Sequence, residues 1–310
     1  MYSVVIKVHT ITARVHSNDR DFIRYVEDYF NTGIATGDCD IDINLVFKSG
    51  FSWSLQKLFF STARHLGENI VFNDTTKKFI GAHRELTIEA VLEKDIWRVR
   101  GEFQRNFFRH CANLLLFHAR RDHYYRWITR LLIQNLIFMK LRERHSCAFA
   151  SGAALAIGGR AFCFFGLPGS GKSTLVAALA KAIPGAEILA ENYLVMDKKL
   201  LIPFPEGRLR FSHLAYQIAA GFIISRGEQM SMEMYSYEDA CGAVNAINAF
   251  TAELPEHSIL HTMAIANPLI CALFKNEALE GILKNISIFS CVVDRGALNC
   301  VAYFKNTYAP

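Results

Sequence analysis

One stretch restricts the fold of this chain more than any other. Ala161-Phe162-Cys163-Phe164-Phe165 is wholly apolar and runs straight into Gly166-Leu167-Pro168-Gly169-Ser170-Gly171-Lys172-Ser173, which opens the Ala/Leu-rich segment Ser173–Ala182. A short apolar run of this kind predicts a strand buried on both faces, and Pro184-Gly185 ends the helix that follows the loop. The loop matches G-x-x-x-x-G-K-[ST] at every fixed position. Strand, loop and helix in that order are the context this phosphate-binding motif requires. The chain is therefore expected to be α/β, with the loop in a domain built on a mixed sheet.

The chemistry explains the residue types. Glycines such as Gly166, Gly169 and Gly171 let the backbone curl until successive N–H groups point at phosphate oxygens. The helix beginning near Gly171 adds its positive end. Lys172 is spaced to reach the β- and γ-phosphates, and the Ser173 hydroxyl is placed for Mg²⁺. With Pro168, Ser170 and Thr174, these residues make up the expected cradle. The cofactors it implies are ATP and Mg²⁺.

Upstream, residues 1–105 read as an α+β region of unassigned role. Ser3–Val15 alternates with period two, Asp19 is placed to cap a helix to about Tyr29, and Ile41–Phe47 is a further strand. Leu86–Leu92 and Ile96–Arg100 are strands on either side of the turn Glu93-Lys94-Asp95, and Asn73–Lys78 reads as a loop. From about Phe103 to Glu143 the sequence holds neither Gly nor Pro, and apolar residues recur at spacings of three and four. That pattern predicts a helical connector over 106–145. Its basic cluster (His118, Arg120, Arg121, His123, Arg126 and Arg130) reads first as a solvated helix face and second as a patch for an anionic partner.

Residues 146–310 form the loop-bearing domain. Strands are expected at Cys147–Ile157, Ala161–Phe165, Ile188–Ala190, Tyr193–Met196 and Leu200–Pro203, with a hairpin turn at Gly158-Gly159-Arg160. Further on, helices are expected near Tyr237–Phe250 and Pro268–Lys284. Strands are expected near Ile259–Ile265, Ile286–Val293 and Cys300–Phe304.

Composition narrows the class. The 310 residues are 51% hydrophobic and 20% charged, so the chain has the means to bury a core and is not disordered. A formal net charge of +5 suits phosphate binding and is too mild to point to nucleic acid. The eight cysteines are scattered, without a CxxC pair or zinc-like spacing, and read as reduced core thiols of a cytoplasmic protein. The N-terminus has no secretory apolar region, and Leu131–Met139 is half the length of a membrane span, so no membrane is expected.

The segment AFASGAALAIGGRAFCFFGLPGSGKSTLVAALA places a hairpin directly before the loop strand. It resembles the HPr kinase/phosphorylase family and its smaller relatives, whose fold is akin to phosphoenolpyruvate carboxykinase. The likeness covers roughly Tyr124–Phe211 and includes IPFPEGRLRF and the lead-in YYRWITRLLIQNLIFMKLRERHSC. It implies a kinase that passes the γ-phosphoryl group of ATP to a hydroxyl of a peptide, a protein or a small alcohol. In that family paired acids follow the strand after the loop helix. Here Glu191 matches the first, which helps to hold Mg²⁺, but the second, the base on the attacking hydroxyl, matches Asn192. An amide takes no proton at neutral pH. The histidine that the family places ahead of the hairpin falls at Phe149–Ser151, where this chain has none; His145 is out of register.

Independently of the family, Glu191 follows a buried strand expected beside the loop strand, where a second magnesium ligand belongs in a parallel nucleotide sheet. Asp197 is a candidate replacement base, with an ordinary surface acid as the other reading. Arg208 and Arg210 lie on a segment expected to return past the phosphates, either to neutralise γ-phosphate charge or simply at the surface. His257 and His261 are spaced i, i+4 with no third ligand and read as ordinary histidines. A binding module without kinase chemistry and an NTPase remain the alternatives, and a homo-oligomer remains open.

Overall fold

The computed structural model describes residues 1–30, 39–49, 64–67, 70–73, 78–83, 86–105, 122–145, 147–205, 214–249, 277–294 and 297–308. They divide into two compact units, one within Met1–Leu141 and the other within Arg142–Leu254 and Lys275–Pro310. Each unit is built on a mixed sheet with helices, an α/β construction. The described part of the stretch expected as a connector belongs to the first unit from Asp122 as far as Leu141.

Alternation shapes the first sheet. Its strands are β1 (Tyr2–Val8), β2 (Ile11–Ser17), β3 (Ile41–Ser49), β4 (Arg64–Gly67), β5 (Ile70–Asn73), β6 (Lys78–His83), β7 (Leu86–Glu93) and β8 (Ile96–Arg105), in the order β1-β2-β3-β8-β7-β6-β5-β4. In β2 every second residue is buried, as a strand covered on one face requires. Helix α1 (Arg20–Phe30) joins β2 to its parallel neighbour β3 and buries Phe22, Ile23, Val26, Tyr29 and Phe30. Asp19 caps it as expected: its Oδ1 accepts the N–H groups of Asp21 at 3.0 Å and Phe22 at 3.1 Å.

Two expectations for this unit change. Ser3–Val15 is a hairpin rather than one alternating strand, turning at His9, whose φ is 53. Buried Val8 and Ile11 lie three apart, the phase break that a two-residue turn leaves, but no glycine or proline flags it. Phe103, assigned to the helical stretch, belongs to β8, which pairs with β3 as far as Arg105. Helical structure is described for α2 (Asp122–Ile128), a π-helical stretch (Thr129–Gln134) and α3 (Asn135–His145). Residues 132–141 are buried on every side, Lys140 included, whose ammonium donates to Asp95 Oδ1 at 2.6 Å. Among the described residues no helix is long and apolar enough to cross a membrane.

The second unit contains β9 (Ala148–Ile157), β10 (Arg160–Phe165), β11 (Glu187–Ala190), β12 (Tyr193–Asp197), β13 (Leu200–Ile202), β14 (Tyr216–Arg226), β15 (Ser231–Met234) and β16 (Ile288–Val293). Its described helices are α4 (Lys172–Ala182), α5 (Tyr237–Ala249), α6 (Glu277–Leu283) and α7 (Leu298–Tyr308). The strand order is β10-β9-β12-β13-β14-β16-β15, with β11 also beside β9. Because β10 pairs in parallel with β14 as well, five strands close on one another. All ten residues of β9 are buried. Phe162 and Phe164 face α4 and α7, whereas Ala161, Cys163 and Phe165 face α5 and α6, so the apolar run is covered on both sides.

Cys300–Phe304, expected as a strand, lies inside α7. Buried Cys300 and Phe304 are four apart, a helical spacing that a five-residue window does not distinguish from a strand. Strand β14 was not anticipated. Its centre, Ala219-Ala220-Gly221, consists of weak strand formers that tolerate the position because the sheet closes tightly around them. The expected strand near Ile259–Ile265, the first part of the helix Pro268–Lys284 and the histidines His257 and His261 lie outside the described residues.

Candidate functional site

Strand β10 delivers the chain to Gly166 at the carboxyl end of the parallel strands β10, β14 and β16. A Cβ on Gly166 would sit 2.6 Å from Ser170 Oγ and 3.0 Å from the Ile224 carbonyl, so a side chain there would displace backbone. Ser170 N–H donates to the Leu167 carbonyl at 3.0 Å, which folds the loop back on itself. Gly169 and Gly171 have φ of 80 and 98, values an L side chain resists. Gly171 is the N-cap of α4, and no side chain caps the first turn of that helix. The turn therefore presents N–H groups and a positive end at the loop.

Lys172 is 9% exposed. Its ammonium donates to the carbonyls of Gly166 at 2.6 Å and Leu167 at 2.9 Å, and reaches Ser170 Oγ at 3.5 Å. Burial lowers its pKa from the usual lysine value. Pro168, Ser173 and Thr174 are exposed around it.

The register places the remaining candidates. Phe165 pairs with Gly152, and Gly152 N–H donates to the Asn192 carbonyl at 3.1 Å. Gly166 and Glu191–Asn192 thus leave the sheet at one level, with β9 between them. Glu191 was expected beside the loop strand; instead β11 pairs with β9, and the parallel neighbour of β10 is β14. The cause is the hairpin before the loop, which inserts an antiparallel strand. Two strand spacings, about 10 Å, separate the two positions. Glu191 is half-buried and Asn192 exposed. Asp197 lies at the far end of β12, opposite Leu200, about 16 Å of extended chain from Asn192. The fold does not bring it to the place Asn192 occupies. Arg208 and Arg210 lie outside the described residues.

Two residues at this edge escaped the sequence reading. Arg226 ends β14, and its Nε lies 3.5 Å from the Cβ position of Gly171. Asp294 follows β16, the parallel neighbour of β14, and is 9% exposed. Its Oδ2 accepts from Asn299 N–H at 3.4 Å and Nδ2 at 3.2 Å, while its buried Oδ1 has no hydrogen-bond partner. An apolar run closing on an acid, Ile288 to Asp294, was the legible signal. For Arg226 there was none, because β14 itself was not legible.

Among the described residues no three His, Cys, Asp or Glu side chains gather as a metal cage. Magnesium does not need one: it suits one or two carboxylates or hydroxyls together with phosphate oxygens. The exposed Ser173 hydroxyl and half-buried Glu191 are hard oxygen donors of that kind at the loop's edge of the sheet, whereas Asp294 Oδ1 is buried. No protein-family model matches the chain, and a search of curated proteins finds no match.

Proposed function

We propose that the chain is an ATP-dependent phosphotransferase that passes the γ-phosphoryl group to a hydroxyl of a peptide, a protein or a small alcohol. The observation that carries this reading is Lys172. A buried ammonium is costly, and here no described carboxylate pairs with it; only the carbonyls and hydroxyl of its own glycine loop hold it. Such a cation contributes little to folding and is well placed to meet an anion. The resemblance to HPr kinases supports the same assignment.

In this reading the loop N–H groups and the start of α4 bind the phosphates, and Lys172 exchanges carbonyl partners for phosphate oxygens. Ser173 with Glu191 would hold the magnesium. When bound, Mg²⁺ neutralises charge on the β- and γ-phosphate oxygens. Asn192 orients the acceptor hydroxyl by hydrogen bonds without taking its proton. Transfer then rests on positioning and charge neutralisation.

Asn192 itself favours a second reading, a nucleotide-binding module that has lost the chemistry. One experiment separates the two. With labelled ATP and Mg²⁺, Asn192→Asp is expected to raise transfer to hydroxyl acceptors or water by about 10²–10⁴, the worth of a positioned base. Asp197→Asn, far along β12, is expected to change little. Lys172→Ala should abolish the rise in melting temperature on adding ATP or ADP. If wild type and both Asn192 and Asp197 variants bind nucleotide but transfer nothing, the module stands and the kinase falls.

A further inference from the structure

Beyond the motif, the sheet brings a second cation to the loop. Strand β14 runs three residues past the level at which β10 ends: Phe165 pairs with Ile223, whereas Arg226 pairs with Val293 of β16. At about 3.3 Å per residue this is a 10 Å overhang, enough to carry Arg226 across the rim of the loop. Gly227 N–H donates to the Val293 carbonyl at 3.2 Å, so the backbone on both sides of this side chain is held by the sheet. The guanidinium stops at Gly171, with Nε 3.5 Å and Nη2 4.0 Å from the Cβ position of that glycine. A Cβ at 171 would be in ordinary van der Waals contact with it.

Arg226 is exposed, and no described acid forms an ion pair with it. Two positive features lie beside Gly171, the start of α4 and, one residue on, the Lys172 ammonium, while the carboxylate of Asp294 follows Val293, the residue with which Arg226 pairs. An anion seated at the loop would meet the positive end of α4, the Lys172 ammonium and the Arg226 guanidinium. The loop N–H groups and Lys172 approach from the floor of the cradle. Arg226 comes from a different strand, beyond the level at which β10 ends, so it reaches the loop from a separate direction. Its planar fork suits two oxygens of one phosphate.

Resting on the nucleotide reading above, we infer that Arg226 is the residue that recognises the terminal phosphate and so separates nucleoside triphosphate from diphosphate. The test measures the affinity of the full chain, with Mg²⁺, for ADP and for a non-hydrolysable ATP analogue. Wild type, Arg226→Ala, Arg226→Lys and Lys172→Ala are compared, with denaturation midpoints as fold controls. Arg226→Ala is expected to leave ADP affinity within about twofold and to weaken the analogue by roughly 10- to 100-fold, the worth of charge-assisted hydrogen bonds. Arg226→Lys should recover only part of the loss, since a point charge replaces the fork. Equal losses for both ligands, or no loss for either while Lys172→Ala abolishes binding, overturn this inference alone. Absence of nucleotide binding by wild type removes the underlying reading, and the inference with it.

Discussion

The two sheets of this chain solve burial differently. In β2 and β3 of the first unit, every second residue is buried and the residues between stay partly exposed. In β9 and β10 of the second unit, successive residues point to opposite faces and nearly all are buried, because helices cover both. A sheet sealed on both faces has one kind of place left for chemistry, the ends of its strands. The loop after β10, Glu191–Asn192 after β11, Arg226 on β14 and Asp294 after β16 all occupy such ends. The first sheet spends its polar residues along a face instead, as in the pair between Lys48 and Glu102 at 2.7 Å, and no comparable gathering at one edge is described there.

The largest effect expected from this difference is on folding. Cys163→Asp and Phe164→Asp are adjacent in β10, and both positions are fully buried. Each variant should lose several kcal/mol, enough to prevent folding, because an unpaired carboxylate enters one core or the other. In β8 the same pair of steps should split. Val99→Asp should be as damaging, while Arg98→Ala, on the exposed face, should stay within about 0.5 kcal/mol. Urea midpoints read both, and a tolerated aspartate at either β10 position would break the comparison.

The strand-end rule predicts function lost without stability. Glu191→Gln should leave the chain folded and metal-free ADP binding nearly untouched, while Mg²⁺-dependent binding weakens by roughly tenfold or more. Equal loss with and without Mg²⁺ would show that Glu191 serves the triphosphate or the fold rather than the metal.

A smaller effect concerns the thiols. Burial pushes the pKa of Cys163 up to about 12, and that of Cys147 to about 12, with Asp197 adding to the rise at Cys147. At pH 8 only about one part in 10⁴ of either is thiolate, so alkylation of the native chain should be far slower there than at half-buried Cys39. Reaction of Cys163 at a rate near that of a free thiol would show that one covering layer opens.

The elements legible in the sequence were those with strong local signals. Asp19 announced a capped helix, Gly158-Gly159 a hairpin, and the glycine loop its own shape. The elements missed were those decided by their neighbours. β14 reads weakly because Ala219, Ala220 and Gly221 are placed by strands on either side rather than by their own preference. Cys300–Phe304 became helix because its two buried residues share a face that packs on α4. Arg226 was invisible for the same reason as β14: its distance to Gly171 exists only once two segments far apart in sequence pair in parallel.

By itself, then, the sequence determined the local chemistry of Gly166–Ser173. A glycine pattern limits backbone angles within a few residues, and an apolar run of five needs cover on both faces wherever it lies. Only the tertiary structure decided which strands flank that run. Strand partners are chosen by packing and ladder hydrogen bonds among segments tens of residues apart, and nothing in Ile188–Ala190 says that β9 will stand between it and β10. That choice moved Glu191 one strand further from the loop, left Asp197 at the far end of β12, and put Arg226 over the loop's rim.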